Sequence, residues 1–174
     1  MMNENNTFPL DQAHYRISVY DREEHDVGIA GKLKEYFFKT ERLFVPPISQ
    51  RTDFAKYLDK LFSESSILYA QTDDGSIVGV ASFYCTPSGY EYAFLTYIAS
   101  SKAKLGIGSG LVQAMIEIVR DNRMVGIETQ TWESNVSSRR LFQKAGFKEY
   151  GKVRNRDNGE FSILLRLRFD ELQA

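Results

Sequence analysis

Glycine stands at every second position of Gly106-Ile107-Gly108-Ser109-Gly110, and the run Leu111-Val112-Gln113-Ala114-Met115-Ile116-Glu117-Ile118-Val119 follows at once. Alternate glycines leave the backbone bare, and the apolar spacing after them is that of a helix with one buried side. Tyr97-Ile98 ahead of them reads as the end of a strand, so the segment runs strand, bare turn, helix. The first N–H groups of a helix have no partner within it and sit at the positive end of its dipole, so a bare turn there suits a phosphate or pyrophosphate. Two familiar phosphate loops do not fit. A dinucleotide fingerprint needs G-x-G-x-x-G in the first turn of a βαβ unit, and a P-loop ends in Gly-Lys-Ser/Thr. A glycine-rich helix entry that serves close packing alone is the other reading.

The remaining patterns place this turn within a fold. Residues 14–20 alternate like a half-buried strand, and residues 26–44 read as a helix carrying Leu33, Tyr36, Phe37 and Phe38, ended by Pro46-Pro47. Phe54, Tyr57, Leu58, Leu61 and Phe62 follow helical spacing. Residues 67–71 and 77–84 form a hairpin about Asp73-Asp74-Gly75-Ser76, and Ser88-Gly89 turns the chain into a third strand over residues 90–98. After the glycine helix come a strand over 125–131, a helix over 135–145 capped by Ser134 or Asn135, extended chain from Gly146-Phe147, and a last strand over 161–169. That order predicts an α/β (α+β) chain: one domain over 1–174, a mostly antiparallel mixed sheet with helices on both faces, and a polar, flexible segment over 1–12.

Composition excludes several classes of function. A net charge of −1, from 22 basic and 23 acidic residues, gives no electrostatic claim on nucleic acid or an anionic membrane. No apolar run approaches the ~20 residues needed to span a bilayer. The opening Met1-Met2-Asn3-Glu4-Asn5-Asn6 has no apolar core, and the lone Cys85 fits a reducing compartment, so the expected location is the cytoplasm. His14, His25 and Cys85 show no metal-ligand spacing, so no metal is expected.

A second motif gives the glycine turn a context. Asn135-Val136-Ser137-Ser138-Arg139-Arg140-Leu141-Phe142-Gln143-Lys144-Ala145-Gly146-Phe147 resembles the N-x-x-A-x-x-L-Y-x-K-x-G-F pattern of the GNAT superfamily of N-acetyltransferases. Lys104 to Gly110, after Tyr97-Ile98, resembles that superfamily's R-G-x-G-x-G/A loop. The resemblance implies a sheet splayed at its fourth strand and acetyl-CoA as co-substrate. Its pyrophosphate would lie on the backbone of Lys104, Leu105, Gly106, Ile107, Gly108, Ser109 and Gly110, and its acyl end on Ile98. Asn135, Ser138 and Phe142 would lie by the cofactor arm, and homodimers are common in the family. The family's Arg or Gln at the head of the loop is Ala103 here, with Lys102 and Lys104 beside it as point charges and not bidentate forks. The family's frequent Tyr, which protonates the departing thiolate, is Phe142.

An amine must be neutral to attack a thioester. A lysine-like amine of pKa ~10.4 costs about 4–5 kcal/mol to deprotonate at pH 7, and one near ~8 only about 1.4 kcal/mol. Glu91 and Glu128 are the candidate bases, Tyr92 is a further one, and Tyr97 is a candidate acid to the thiolate. Each carboxylate also reads as an ordinary surface group on an alternating strand, Asn135 as a plain helix cap, and Cys85, Tyr84 and Trp132 as packing residues. The expected activity is acetyl transfer to a primary amine of a small molecule, an amino sugar or amino-acid derivative first, with a pocket built from residues 25–65 and the strands around Glu91 and Glu128. A protein or peptide N-acetyltransferase and a non-catalytic acyl-CoA-binding module are the alternatives.

Overall fold

The computed structural model describes residues 15–23, 27–86, 89–101, 105–156 and 158–170. Its elements run β1 (Tyr15–Val19), α1 (Val27–Thr40), α2 (Phe54–Glu64), β2 (Ser66–Thr72), β3 (Ile77–Tyr84), β4 (Tyr92–Ser100), α3 (Ile107–Asp121), β5 (Gly126–Trp132), α4 (Val136–Lys144), β6 (Lys148–Val153) and β7 (Ser162–Arg168). The strands hydrogen bond in the order β1-β2-β3-β4-β5-β7-β6. This is the element order that the sequence predicts, in a mixed sheet. The described residues belong to two compact units, Met1–Ser82 with Tyr97–Ala114, and Phe83–Thr96 with Met115–Ala174.

In the first unit, α1 buries Leu33, Tyr36, Phe37 and Thr40, the side that recurs every three to four residues. The Phe37 ring meets Tyr97 edge-on at 4.7 Å and Phe62 at 6.0 Å. Where the spacing predicts helix through residue 44, α1 stops at Thr40 and tightens into a 3₁₀ turn, Glu41–Leu43. Glu41 turns its carboxylate onto Ser49 in the next 3₁₀ turn, Ile48–Gln50, and the two turns carry the chain past Pro46-Pro47 into α2. Asp53 caps α2 by accepting from Lys56 N at 3.2 Å, and Phe54, Leu58 and Leu61 face inward. β3 is covered on both faces, since consecutive residues 78–83 are all buried. Gly79 is the point of closest approach. A Cβ placed there would lie 2.5 Å from Ile107 Cγ2 and 3.1 Å from Leu111 Cδ1, so its bare Cα lets the start of α3 settle onto the strand.

In the second unit, β5 pairs antiparallel with β7 over its whole length, and β6 closes the other edge of β7 with a bulge between Glu149 and Gly151. Ile163, Leu165 and Leu167 are buried on one face, as their alternation predicts. β4 pairs parallel with β5 from Tyr92↔Gly126 to Leu95↔Thr129, where that register ends although β4 runs on to Ser100. The Thr129 hydroxyl donates to the Leu95 carbonyl at 3.0 Å at this point, so a side chain takes the acceptor that the ladder would otherwise use. No helix among the described residues is long and apolar enough to cross a membrane.

Candidate active site

The glycine turn in the first unit has the backbone that an anion site requires. Gly106 adopts φ +73°, a left-handed conformation that glycine takes without strain, and Gly110 N donates to Gly106 O at 2.9 Å to close the first turn of α3. Ile107 is buried and anchors the helix, while Leu105, Gly106 and Ser109 are exposed and Gly108 is half-buried. The opening turn is thus exposed on either side of one buried side chain, and the first N–H groups of a helix have no partner within it. Lys102, Ala103 and Lys104 lie outside the described residues, as do His14 and His25.

Two tyrosines stand at the same end of this unit. Tyr15 Oη lies 3.9 Å from where a Gly106 Cβ would project. Tyr36 is 5% exposed, and among the described residues its hydroxyl has no close hydrogen-bond partner. Burial raises its pKa, and the adjoining Ser101, where β4 ends, offsets part of that rise. A buried hydroxyl lacking a partner is uncommon and costly. A ligand rich in acceptor atoms would suit the first amides of α3, which have no partner within the helix.

Tyr97 departs from the expected cleft-facing acid. It is 1% exposed, its hydroxyl donates to Thr40 Oγ1 at 2.8 Å, and Thr40 in turn donates to the Tyr36 carbonyl at 2.8 Å. Burial raises its pKa far above the ordinary tyrosine value, with the Thr40 bond opposing and the nearby Tyr57 and Glu41 reinforcing the rise. The phenol is an interior clasp between β4 and α1. Ile98, next along the strand, is half-buried.

In the second unit, Glu91 is exposed just before β4, and its carbonyl accepts from Val125 N at 2.8 Å. Glu128 lies directly opposite Arg166 in the β5–β7 register, and its Oε1 accepts from Arg166 Nε at 2.7 Å and Nη2 at 2.5 Å. The guanidinium sits between two rings, 4.6 Å from Tyr92 and 4.2 Å from Tyr150. Burial and the Glu128 charge raise the Tyr150 pKa against the opposing pull of Arg166. Glu128 is thus a partner in a built cluster with Arg166, Tyr92 and Tyr150. Asn135 caps α4, with Oδ1 accepting from Ser138 N at 3.2 Å and Nδ2 donating to Thr131 Oγ1 at 3.0 Å and Ser138 Oγ at 2.9 Å. The cap therefore uses both ends of the amide and also brings in Ser138. Phe142 is 2% exposed with its ring 5.2 Å from Phe147, so it packs as a core side chain. Cys85 is half-buried, with burial raising its thiol pKa, the opposite of an activated nucleophile. Among the described residues no group of His, Cys, Asp and Glu has the arrangement of a metal site.

The sequence reading missed the Glu128–Arg166–Tyr150 cluster, the Thr40–Tyr97 clasp and the buried Glu41. Each depends on a strand register or a helix packing that no local pattern carries.

The acetyltransferase (GNAT) family model matches residues 32–147. No curated protein matches the sequence. Several solved structures share the fold. A ribosomal-protein-S5-alanine acetyltransferase from Vibrio fischeri is 16% identical with a TM-score of 0.70, over 96% of this chain and 98% of that one. An acetyltransferase from Elizabethkingia anophelis, solved with acetyl-CoA bound, is 17% identical with a TM-score of 0.66, over 91% and 100%. A Bacillus anthracis protein assigned as a streptothricin acetyltransferase, in complex with acetyl coenzyme A, is 23% identical with a TM-score of 0.55. That last match covers 62% of this chain and 64% of the other, so this chain spans just under two-thirds of its length.

Proposed function

This chain belongs to the acetyltransferase (GNAT) family, and from that premise we propose that it moves an acetyl group from acetyl-CoA to a primary amine of a small molecule. The observation that carries the reading is the bare turn at Gly106 at the entrance to α3, with Ile107 buried to hold it. Acetyl-CoA supplies an acyl group already activated as a thioester. The chain's part is to hold the pyrophosphate on the amides of residues 105–109, with Lys102 and Lys104 adding charge, and to offer the backbone of Ile98 to the acyl end. Asn135 and Ser138 belong to the same proposal as cofactor-arm residues, held in place by the α4 cap.

The amine nitrogen attacks the thioester carbonyl, the C–N bond forms and the C–S bond breaks. The amine's proton passes to solvent directly or by way of Glu91, the exposed carboxylate at the start of β4. The departing thiol has a pKa near ~8.5, a fair leaving group at neutral pH without a tyrosine acid. An acceptor amine near pKa ~8 needs little help to shed its proton, which favours amino sugars and amino-acid derivatives over lysine side chains. The matched folds differ in acceptor, a ribosomal protein in one and streptothricin in another, so fold alone does not choose between them.

Two measurements test this. Coenzyme A should bind the wild type and fail to bind Gly108→Glu, whose carboxylate would face the pyrophosphate, with the thermal midpoint of the variant unchanged; equal affinity would refute the placement. Thiol release from acetyl-CoA across amino sugars, polyamines, amino acids and peptides identifies the acceptor class. Binding without release on any amine would leave an acyl-CoA-binding module instead.

A further inference from the structure

We propose that the connection between α1 and α2 is a docking tip that lays its apolar side chains onto an anionic lipid surface. Phe38, Leu43 and Val45 are 51%, 57% and 44% exposed. No other stretch as short as residues 38–45 carries three exposed large apolar side chains among the described residues. Phe44, Pro46 and Pro47 are half-buried beside them. Single apolar residues on a surface are ordinary, whereas a cluster marks a place that another surface covers. The tip is built, and not merely loose chain. The Phe38 ring meets the buried Phe54 edge-on at 5.2 Å, and the Phe44 ring lies 4.6 Å from the Tyr97 ring. Glu41 Oε1 and Oε2 accept from Ser49 Oγ at 3.0 Å and Ser49 N at 3.1 Å, which closes the base of the loop that carries Leu43 and Val45.

The charge around the tip is one-sided. Over residues 38–52 the basic residues are Lys39, Arg42 and Arg51, all exposed, and the only acid is Glu41, buried against Ser49. None of the three cations forms an ion pair among the described residues. The neighbouring lysines differ, since Lys34 pairs with Asp59, Lys56 with Asp53 and Lys60 with Glu64. A net charge of −1 over the whole chain therefore hides a local positive surplus. Unpaired cations around exposed apolar side chains suit a partner that is acidic and apolar at once. An anionic bilayer is both, because apolar side chains enter the boundary between head groups and acyl chains while Lys and Arg stay among the head groups. An acidic peptide suits the tip less well. Peptides are held in grooves or along a sheet edge, and side chains this exposed on a turn project outward instead of lining a cleft.

Co-sedimentation of the full chain with lipid vesicles reads this directly. Vesicles of phosphatidylcholine and phosphatidylglycerol in equal parts should bind wild type at least tenfold more tightly than vesicles of phosphatidylcholine alone. Salt on the order of 1 M, where the Debye length falls to about 3 Å, should remove most of that difference. Each cation near an anionic surface is worth about a fivefold change, so Arg42→Gln with Arg51→Gln should weaken binding roughly 25-fold. Leu43→Ser with Val45→Ser should weaken it roughly tenfold or more through the lost apolar contact. Both paired variants should keep the wild-type thermal midpoint, because every side chain they change is exposed. Equal binding to the two kinds of vesicle, binding to neither, or an anionic preference that survives in both paired variants would overturn the proposal. Tighter binding to a soluble peptide of alternating glutamate and leucine than to the vesicles would do the same. So would a dimer in sedimentation velocity that Leu43→Ser with Val45→Ser dissociates, since the tip would then have another occupant.

Discussion

Gly79→Ala is the sharpest test of how the fold holds the proposed anion site. The added methyl would sit 2.5 Å from Ile107 Cγ2. Carbon atoms rest at ~3.5–4.0 Å, so about 1 Å of displacement is required. Ile107 is the first residue of α3, and a β-branched side chain in a helix has essentially one χ1 rotamer, so rotation does not relieve the clash. The helix start itself must retreat. Overpacking of this kind costs roughly 1–3 kcal/mol. For a chain of this length each kcal/mol lowers the thermal midpoint by about 2–4 °C, giving a fall of roughly 2–12 °C. The same retreat carries the opening amides away from a bound pyrophosphate. Loss of one charge-assisted hydrogen bond, about 1.5–3 kcal/mol, weakens coenzyme A binding by roughly tenfold or more.

Scanning calorimetry and isothermal titration read the two effects separately. Gly31→Ala is the control, since Gly31 is exposed within α1 and a Cβ there meets nothing within 4 Å. It should stabilise by about 0.5–1 kcal/mol, the helix-interior preference for alanine. Ile107→Ala removes the clashing methyl, so in that background Gly79→Ala should cost much less than alone, a coupling of about 1–2 kcal/mol. An unchanged midpoint in Gly79→Ala would refute the packing argument. A lowered midpoint with unchanged coenzyme A affinity would refute the link between this contact and the site.

Tyr36→Phe removes a buried oxygen with no close hydrogen-bond partner among the described residues, so unfolding free energy should hold or rise by about 1 kcal/mol, and a lower midpoint would reveal a partner such as Ser101. Tyr97→Phe should cost about 0.5–1.5 kcal/mol through the lost Thr40 bond, while turnover per folded molecule stays within about twofold, as expected for a buried phenol bonded to Thr40. The sign of the Tyr97 linkage follows from its raised pKa: the folded protein holds the phenolic proton more tightly than the unfolded chain. The resulting stability is complete below the unfolded value near ~10 and is lost as pH rises above it. Alkaline melting curves should therefore fall less steeply in Tyr97→Phe than in wild type. Asn135→Ala should lower stability by about 1 kcal/mol in urea titrations, with Asn135→Ser recovering most of it as a competent cap.

Much of this molecule is written in local pattern. Alternate glycines before an apolar periodicity give the turn and α3, because a bare backbone and a 3.6-residue stripe need no distant partner to be read. The Asn135 cap, the alternation of Ile163, Leu165 and Leu167, and the element order are legible for the same reason. What tertiary structure decided is the environment of each polar group. Glu91 and Glu128 look alike in sequence, yet register sets Arg166 opposite Glu128 and leaves Glu91 exposed. Tyr97 reads as a cleft acid until α1 brings Thr40 to its hydroxyl, and Glu41 reads as one more helical acid until the chain folds back on Ser49 and buries it. Periodicity records which face of an element is apolar. The partner of a charge or a hydroxyl comes from residues 8, 38 or 57 positions away, and only the packed chain brings them together.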